Sequence, residues 1–436
     1  YLVTKLPHTA FNATDLAQYA GVIPVTESGE GGIFFWLMYN TTLIPDIRAP
    51  HNPHKKLVVW FNGGPGCTSL DGVFLENGPY QFTGTPDNIQ IVPRDWSFTQ
   101  QAVMLYVDQP LGTGFSYAPE EEYSTHYADL TYRVFRFLTG FYALFPELDP
   151  FDIYLAGESQ AGVYIPYIAQ DMLRRSDAKV DGHTFALKGL MIGNGWLDPL
   201  PQYRAVLDMA RAQNLHPPAA EAAIQSHLDT CVSDYSHSPP RIISHQCEAY
   251  INEFIKLAAP EPGKCYNNFD YRKVDTYPEC GMNWPPQIHT FTAYFRLPAV
   301  WKALHVDGRT WSDWSECNNA VGTRLENSPD RPSIEILPNL LTRLPVLLVH
   351  GDKDLLCNYM GAEKMISQLT WGGQQGFMQG GLQTWQIDSA DVGLYQSERN
   401  LIYARLFDAS HMAGVDKPLP MFDLLVRLTG TDVSTL

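Results

Sequence analysis

The chain has 436 residues, 45% of which are hydrophobic, and this composition is typical of a globular protein with a large core. Its 30 basic and 47 acidic side chains give a formal net charge of −17, which argues against partners such as nucleic acids or anionic membrane surfaces. A cationic substrate would be attracted instead. No apolar stretch approaches the length of a membrane helix, so no membrane contact is expected from this segment, although an anchor beyond Leu436 stays open.

Short apolar runs that alternate with loops and helix-like segments predict an α/β fold. In chain order these runs cover residues 57–61, 103–107, 153–156, 185–192, 345–350 and 401–407. Runs of this length, separated by helical segments, are typical of the buried strands of a parallel sheet. We therefore expect a doubly wound, mostly parallel sheet.

The run 153–156 is followed by the sequence GESQAG at residues 157–162 and then by a helix-like stretch. Ser159 stands at the apex of this strand, turn and helix, and the small residues around it permit the strained turn that projects a hydroxyl over a sheet. The pattern is that of a nucleophile elbow. The common form has glycine two residues after the serine, where this chain has Ala161, so a purely structural turn is the alternative.

The block between residues 199 and 333 interrupts the rhythm of strands. Prolines and polar residues accumulate there, together with five of the seven cysteines. We expect an inserted cap: residues 1–198 would form the first part of the core, 199–333 the cap and 334–436 the second part of the core.

The last two predicted strands each lead into a loop that could complete a catalytic triad. The run 345–350 precedes GDKD at residues 351–354, and the run 401–407 precedes His411. The order Ser, Asp, His is that of the α/β-hydrolases. Asp354 is the predicted orienting acid and His411 the predicted general base, while Asp352 is an alternative acid that the pattern alone leaves open.

Seven cysteines suggest three disulfides and one free thiol, and their spacing fits no zinc site. Potential N-glycosylation sequons begin at Asn12 and Asn40. Together these features favour the secretory pathway, either the Golgi or vacuolar lumen or secretion. We predict no metal and no cofactor, and the sequence leaves the oligomeric state open.

Motifs spread over nearly the whole chain resemble those of the serine carboxypeptidases. They are WFNGGPGCTSLDG (60–72), ENGP (76–79), DQPLGTGFS (108–116), the GESQAG elbow, IGNG (192–195), GDKD (351–354) and HM (411–412). A further likeness, to the fungal pheromone-processing carboxypeptidases of the late Golgi, is suggested by YPECGMNWP (277–285), WSEC (314–317) and WGG (371–373). The resemblance implies an α/β-hydrolase with an inserted cap that acts on peptide or protein C termini.

The resemblance also assigns roles in catalysis. Ser159 would attack the last peptide carbonyl, His411 would take its proton, and Asp354 would fix the imidazole tautomer. The backbone N–H groups of Gly64 and Gln160 would form the oxyanion hole.

The family recognises the free α-carboxylate of its substrate without arginine. Asn62 and the Gly63 N–H would donate hydrogen bonds to it, Trp60 would wall the site, and Glu76 and Glu158 would supply carboxyl groups. Two neighbouring acids raise one another's pKa, so one can keep a proton and act as a donor. Peptide binding should then weaken as pH rises. Without the resemblance, Glu158 would merely flank the elbow and Glu76 would cap a helix.

Residues that could set specificity are less constrained. Asp71 is expected near the pocket for the leaving residue, where an anion favours Lys or Arg, although relatives without that preference also have an Asp in this loop. Gln160 replaces the tyrosine that usually follows the serine, and the residues after Met412 are smaller than usual. Both departures reshape the substrate pockets.

By family analogy the disulfides join Cys67 to Cys317, Cys231 to Cys247, and Cys265 to Cys280. Cys357 is then the free thiol, which we expect to be a buried wall of the substrate pocket, so that a thiol reagent inhibits by crowding.

The leading prediction of function is a carboxypeptidase that trims C-terminal Lys or Arg from peptides and secreted precursors through an acyl-enzyme. An acyltransferase or transpeptidase is the alternative, because an amine or alcohol can capture the same acyl-enzyme. A catalytically weak binding protein is disfavoured by the intact triad.

Overall fold

The computed structural model describes residues 1–9, 15–48, 55–178 and 185–430. The strands there are β1 (Leu16–Pro24), β2 (Gly32–Asn40), β3 (Lys56–Phe61), β4 (Tyr80–Thr85), β5 (Asn88–Pro93), β6 (Val103–Val107), β7 (Asp152–Glu158), β8 (Leu187–Gly193), β9 (Lys264–Tyr266), β10 (Val274–Thr276), β11 (Val346–Gly351), β12 (Thr370–Trp371), β13 (Gln374–Gln375), β14 (Gln383–Ile387), β15 (Ala390–Glu398) and β16 (Leu401–Leu406). The helices are α1 (Tyr127–Leu144), α2 (Ala161–Ala178), α3 (Pro199–Gln213), α4 (Glu221–Ser236), α5 (His245–Leu257), α6 (Ile288–Phe295), α7 (Pro298–Ala303), α8 (Asn319–Glu326), α9 (Leu337–Leu340), α10 (Tyr359–Gln368), α11 (Ala413–Asp416) and α12 (Pro418–Thr429).

One ten-stranded sheet organises the molecule, in the order β1-β2-β6-β3-β7-β8-β11-β16-β15-β14. The six strands from β6 to β16 run parallel to one another. Antiparallel strands extend the sheet on both sides of them. This confirms the predicted α/β-hydrolase fold with a doubly wound, mostly parallel sheet.

Two hydrophobic clusters cover the two faces of this sheet. On β3, Leu57 and Val59 point into one cluster with residues of α1 and α2, whereas Val58 and Trp60 point into the other with residues of α6 and α12. Successive side chains of a strand face opposite sides, so burial of both sets requires cover on both faces. This is why the central strands read as continuous apolar runs.

The loops that hold the predicted site all leave the carboxyl ends of parallel strands. β3, β7, β11 and β16 end just before the segments that contain Asn62, Ser159, Asp354 and His411. In a parallel sheet these ends meet at one edge, where ligands of open α/β folds bind. The topology therefore brings residues from four distant parts of the chain together.

The main sheet takes no strand from residues 199–333, all of which the structure describes. This block instead consists of α3 to α8 and the small hairpin of β9 and β10. The division into a two-part core and a cap stays a prediction.

Candidate active site

Ser159 occupies the turn between β7 and α2 in a left-handed conformation, with φ of 59°. Its N–H donates to the Gly193 carbonyl, and the Gly162 N–H donates to the Ser159 carbonyl, each over 2.9 Å. The Asn62 loop passes so close that a Cβ at Gly63 would lie 2.7 Å from both Gln160 N and Ser159 Cβ. A non-glycine residue with positive φ at a crowded strand–helix turn has the geometry of a nucleophile elbow.

The imidazole of His411 is held by Asp354. His411 Nδ1 lies 2.6 Å from Asp354 Oδ2, which also accepts a hydrogen bond of 2.8 Å from Asn194 Nδ2. The other carboxylate oxygen accepts from the N–H groups of Leu356 and Cys357, at 2.9 and 3.2 Å. Asp354 is completely buried, and these donors compensate its charge.

The alternative acid, Asp352, has another partner. Its Oδ2 lies 3.0 Å from Nζ of Lys353. The geometry therefore selects Asp354 as the acid that contacts the histidine, a choice that the sequence pattern left open.

The second imidazole nitrogen of His411 faces Glu158. Nε2 lies 3.4 Å from Glu158 Oε2, and within the described residues no hydrogen bond joins His411 to the Ser159 hydroxyl. Burial lowers the pKa of His411, but the charge and hydrogen bond of Asp354, together with the charges of Glu158 and Glu76, outweigh burial and raise that pKa to about 9. In unliganded hydrolases the nucleophile–base bond is often loose and tightens with substrate.

Two backbone N–H groups beside Ser159 are free to stabilise an oxyanion. Within the described chain, neither the Gly64 N–H nor the Gln160 N–H donates a hydrogen bond. Gly64 has φ of 109°, a conformation that disfavours any side chain. The buried Gln160 side chain turns away and donates from Nε2 to the Tyr127 hydroxyl over 2.8 Å.

Asn62 joins the two glutamates of the predicted carboxylate clamp. Its Nδ2 donates to Glu76 Oε1 over 2.7 Å and to Glu158 Oε1 over 3.2 Å, and the Gly63 N–H reaches Glu158 Oε1 at 3.3 Å. The indole of Trp60 is fully buried and donates to Asn62 Oδ1 over 2.7 Å, so it fixes which way the amide points. All five residues predicted for the clamp therefore lie together.

The clamp carboxyls retain protons more strongly than free glutamates do. Burial, and then the charge of Glu158, raises the pKa of Glu76 to about 8, although the hydrogen bond from Asn62 opposes this. Burial likewise raises the pKa of Glu158, against the opposing charge of His411. At neutral pH the pair thus holds a proton that it can donate to a substrate carboxylate.

The residues predicted to set specificity are all buried. Asp71 is 3% exposed and precedes a π-helical turn, Gly72–Glu76, that ends at Glu76. Met412 and Cys357 are buried, and burial raises the pKa of the Cys357 thiol well above its usual value, which disfavours a nucleophilic role. A Cβ at Gly414 would lie 3.0 Å from Glu76 Cβ, so the chain beside Glu76 leaves little room for a side chain at position 414.

Three disulfides are present, and they are the pairs that the family resemblance implied: Cys67–Cys317, Cys231–Cys247 and Cys265–Cys280. The first joins Cys67 to Cys317, 250 positions away, and so ties down the loop that also contains Gly64, which we call the oxyanion loop. Of the predicted glycosylation sites, Asn12 lies outside the described residues. Asn40 ends β2 and accepts a hydrogen bond from the Thr42 N–H; its glycosylation stays a prediction.

Several residues at this site had no signal in the sequence. The Phe269 ring packs 4.8 Å from the His411 ring, and the His411 N–H donates to the Phe269 carbonyl. Tyr127 and Glu316 are also brought in from remote segments: Tyr127 bonds Gln160, and the Glu316 carbonyl accepts from the Thr68 N–H. Asn194 did have a signal, since it belongs to the IGNG motif, but its contact with Asp354 was not predicted.

Comparison with known proteins agrees with this geometry. The profile of the serine carboxypeptidase family matches residues 7–430. The pheromone-processing carboxypeptidase KEX1 of Pyricularia oryzae is 38% identical, over 100% of this chain and 69% of that protein. The same enzyme of Tuber melanosporum is 37% identical, over 97% of this chain and 67% of its own length. The crystal structure of Kex1Δp, a prohormone-processing carboxypeptidase from Saccharomyces cerevisiae, aligns with a TM-score of 0.87 and 31% identity, covering 97% of this chain and 92% of that one.

Among the described helices, none has both the length and the apolar character needed to span a bilayer. Three disulfides persist in oxidising compartments, which places the protein in the secretory pathway. The family match over nearly the whole chain settles the class of enzyme: the chain belongs to the serine carboxypeptidase family, and it is a hydrolase that releases residues from peptide C termini.

Proposed function

We propose that this carboxypeptidase removes C-terminal Lys or Arg from peptides and secreted precursors, with Ser159, His411 and Asp354 as its catalytic residues. The observation that carries the proposal is the position of the glutamate clamp, which contacts both the elbow and the imidazole. A substrate whose α-carboxylate is held there presents its last peptide bond to the nucleophile.

Hydrolysis proceeds in two steps. Ser159 Oγ attacks the last peptide carbonyl while His411 Nε2 takes the hydroxyl proton, and the N–H groups of Gly64 and Gln160 stabilise the oxyanion. The tetrahedral intermediate collapses as His411 gives that proton to the departing amine. Water then attacks the acyl-enzyme, with His411 again as base, and releases the shortened peptide.

One proton serves both binding and catalysis. In the unliganded site, His411 Nε2 and Glu158 Oε2 lie 3.4 Å apart, and the charges of Asp354 and Glu158 keep the imidazole protonated. A bound carboxylate raises the proton affinity of the adjacent Glu158. Transfer of the proton from Nε2 to Glu158 then yields a carboxyl that donates to the substrate and a neutral imidazole that acts as base.

Three observations support a basic leaving residue. Asp71 is a buried acid, and the negative charges of Glu76 and Glu158 are close enough to contribute to the raised pKa of its carboxyl. The net charge of −17 attracts cationic peptides. The relatives that share the fold and family are named for processing pheromones or prohormones.

Residues 199–333 form a cap over this site in the proposed organisation. Phe269, from that block, packs beside His411, and the carbonyl of Asn268 accepts from the N–H groups of Leu355 and Leu356 in the Asp354 loop. A cap that touches both the base and the acid loop can exclude water from the imidazole.

Peptides that differ only in the last residue test the proposal. Mass spectrometry after incubation at mildly acidic pH should show loss of C-terminal Lys and Arg, no loss with Ser159→Ala, and reduced preference with Asp71→Asn. Preferential release of apolar residues would contradict the basic specificity. Capture of the acyl group by an added amine in place of water would favour the transpeptidase alternative, and failure of an organophosphonate to label Ser159 would favour a binding protein.

A further inference from the structure

We infer that Arg94 is a positioning residue of the carboxylate clamp: it holds the end of the π-helical turn Gly72–Glu76 and thereby fixes the Glu76 carboxyl where a substrate carboxylate is bound. The inference rests on the proposed function, because it takes Glu76 as a group that binds the substrate. Arg94 directly follows β5 and belongs to none of the family motifs in the sequence.

Arg94 supplies three donors to the segment on both sides of Glu76. Its Nη2 donates to the Phe74 carbonyl over 2.6 Å, and its Nε donates to the Tyr80 carbonyl over 3.3 Å. The backbone N–H of Arg94 donates to the Pro79 carbonyl over 2.9 Å. The chain before Glu76 and the chain after it are therefore both bonded to Arg94.

The Phe74 carbonyl depends on the guanidinium because the turn offers it no donor. In a π-helix a carbonyl accepts from the N–H five residues later, and here that residue is Pro79, which has no N–H. The N–H groups of Asn77 and Gly78 both donate to the Gly72 carbonyl instead. Phe74 is completely buried, so loss of the guanidinium would leave its carbonyl without a partner away from water.

The other end of the turn is held by the clamp itself. The Gly72 N–H donates to Asn62 Oδ1 over 3.1 Å, while Asn62 Nδ2 donates to Glu76 Oε1 over 2.7 Å. Asn62 thus fixes the start of the turn, and Arg94 fixes its end. Movement of that end would change the position of the Glu76 carboxyl relative to Glu158, and with it the fit to a substrate carboxylate.

The charge of Arg94 acts on Glu76 as well. Burial raises the pKa of Glu76, as does the charge of Glu158, and the charge of Arg94 opposes this rise. The other titratable groups around Glu76 are Glu158 on β7, His411 after β16, Asp71 at the start of the turn and Tyr106 on β6. Loss of the Arg94 charge alone should let Glu76 keep its proton to higher pH.

A purely structural role for Arg94 makes a different prediction. If Arg94 only stabilises the hairpin of β4 and β5, then Arg94→Met should lower the thermal midpoint and leave both KM and its pH dependence unchanged. If Arg94 positions the clamp, the same change weakens binding of free-acid peptides and alters the pH at which that binding is lost.

The test measures kcat and KM for a free-acid peptide across the pH range in which the wild-type KM rises. Arg94→Met should raise KM about tenfold at mildly acidic pH and leave kcat within about twofold of the wild type, as expected for loss of hydrogen bonds from a charged donor. The rise of KM should also move to higher pH. Arg94→Lys keeps the charge without the planar fork, so the rise should return to the wild-type pH while KM at acidic pH stays elevated.

Arg399→Met is the matched control. Arg399 is also partly buried and donates to the carbonyls of Trp371 and Gly376, but it precedes β16 at the opposite edge of the sheet from the clamp. Its replacement should change neither KM nor the pH dependence of KM.

The outcomes separate this inference from the proposed function. A wild-type KM that does not change with pH overturns the protonated clamp and this inference together. A wild-type KM that rises with pH, and that Arg94→Met leaves the same in value and in pH dependence, overturns the role of Arg94 alone.

Calorimetry gives the same comparison independently of turnover. A free-acid peptide should bind Ser159→Ala about tenfold more tightly than it binds the same protein with Arg94→Met. The thermal midpoint of each variant reports whether it is folded. If Arg94→Met does not fold, Arg94→Lys decides the matter, since a wild-type KM at acidic pH in that variant would overturn the positioning role.

Discussion

At the scale of single residues, the site depends on protons kept by buried carboxyls. Glu76 and Glu158 share the amide of Asn62, and burial is the largest contribution to their raised pKa values. The usual alternative, an arginine, would bind a carboxylate at every pH. A clamp of carboxyl groups makes substrate binding depend on pH instead, because the carboxyls donate hydrogen bonds only while they are protonated.

Glu76→Gln tests this dependence. The pKa of Glu76 is about 8, so the carboxyl is a donor below that pH and a repelling charge above it. For the wild-type enzyme, KM for free-acid peptides should rise as pH increases through about 8. The glutamine amide does not titrate and still accepts from Asn62, so the KM of the variant should be flat over the same range. A variant whose KM rises in parallel with the wild type would show that another group controls binding.

Tyr127→Phe tests the support of the oxyanion hole. The Tyr127 hydroxyl accepts the hydrogen bond from Gln160, whose N–H is proposed to stabilise the oxyanion. Loss of this bond should lower kcat about fivefold, equivalent to about 1 kcal/mol, with KM unchanged. Tyr167→Phe is the control, because that ring stacks on Tyr127 but its hydroxyl bonds the Arg331 carbonyl. A change in thermal stability alone, with normal kcat, would mean that Tyr127 is only structural.

The sequence predicted Ser159, Asp354 and His411 because each follows a strand at the same edge of a sheet, a local pattern. It did not predict Tyr127, Phe269 or Glu316, since their contacts form between segments far apart in the chain. Contacts of this kind follow from tertiary packing, which no short pattern encodes.

At the scale of elements, the parallel strands were predicted and the flanking ones were not. The run 185–192 corresponds to β8, Leu187–Gly193, within two residues. β1 and β2 were missed. β2 is an antiparallel strand that is almost wholly buried, because residues of both hydrophobic clusters lie on it. Its sequence therefore lacks the alternation of apolar and polar residues that marks antiparallel strands with one face in solvent.

The two disulfides Cys67–Cys317 and Cys231–Cys247 should differ in their effect on function. Replacement of both cysteines of either pair by serine removes a constraint on the unfolded chain, worth about 5 kcal/mol for the separation of 250 and about 3 kcal/mol for that of 16. Only the first pair holds the oxyanion loop, so only its loss should lower kcat/KM in the protein that remains folded. Equal loss of kcat/KM in both variants would contradict this, and denaturant titration would report the stabilities.

At the scale of the whole molecule, buried acids should make the protein most stable at mildly acidic pH. Burial raises the pKa of Glu76 from 4.5 to about 8, and the pKa values of Asp108 and Asp198 from 3.8 to about 6. Below about pH 3 these groups are mostly protonated in both states and contribute little difference, whereas at higher pH the folded state resists their ionisation. His411, with its pKa raised to about 9, also loses its stabilising charge as pH rises.

The free energy of unfolding should therefore fall by an amount on the order of several kcal/mol between about pH 5 and pH 8. Urea midpoints across this range measure the effect, and Glu76→Gln should reduce the slope. A midpoint that increases with pH would contradict the assignment of these carboxyls as protonated in the folded state.

The central claim is that Ser159 acts on a substrate held by its α-carboxylate, and the most direct test is kcat/KM for two peptides that end in lysine, one as the free acid and one as the amide. We predict that the free acid is cleaved at least about a hundredfold faster at mildly acidic pH, since the amide forfeits charge-assisted hydrogen bonds to the clamp. Both activities should vanish in Ser159→Ala. Equal rates for acid and amide would contradict the clamp, and cleavage that survives Ser159→Ala would contradict the nucleophile.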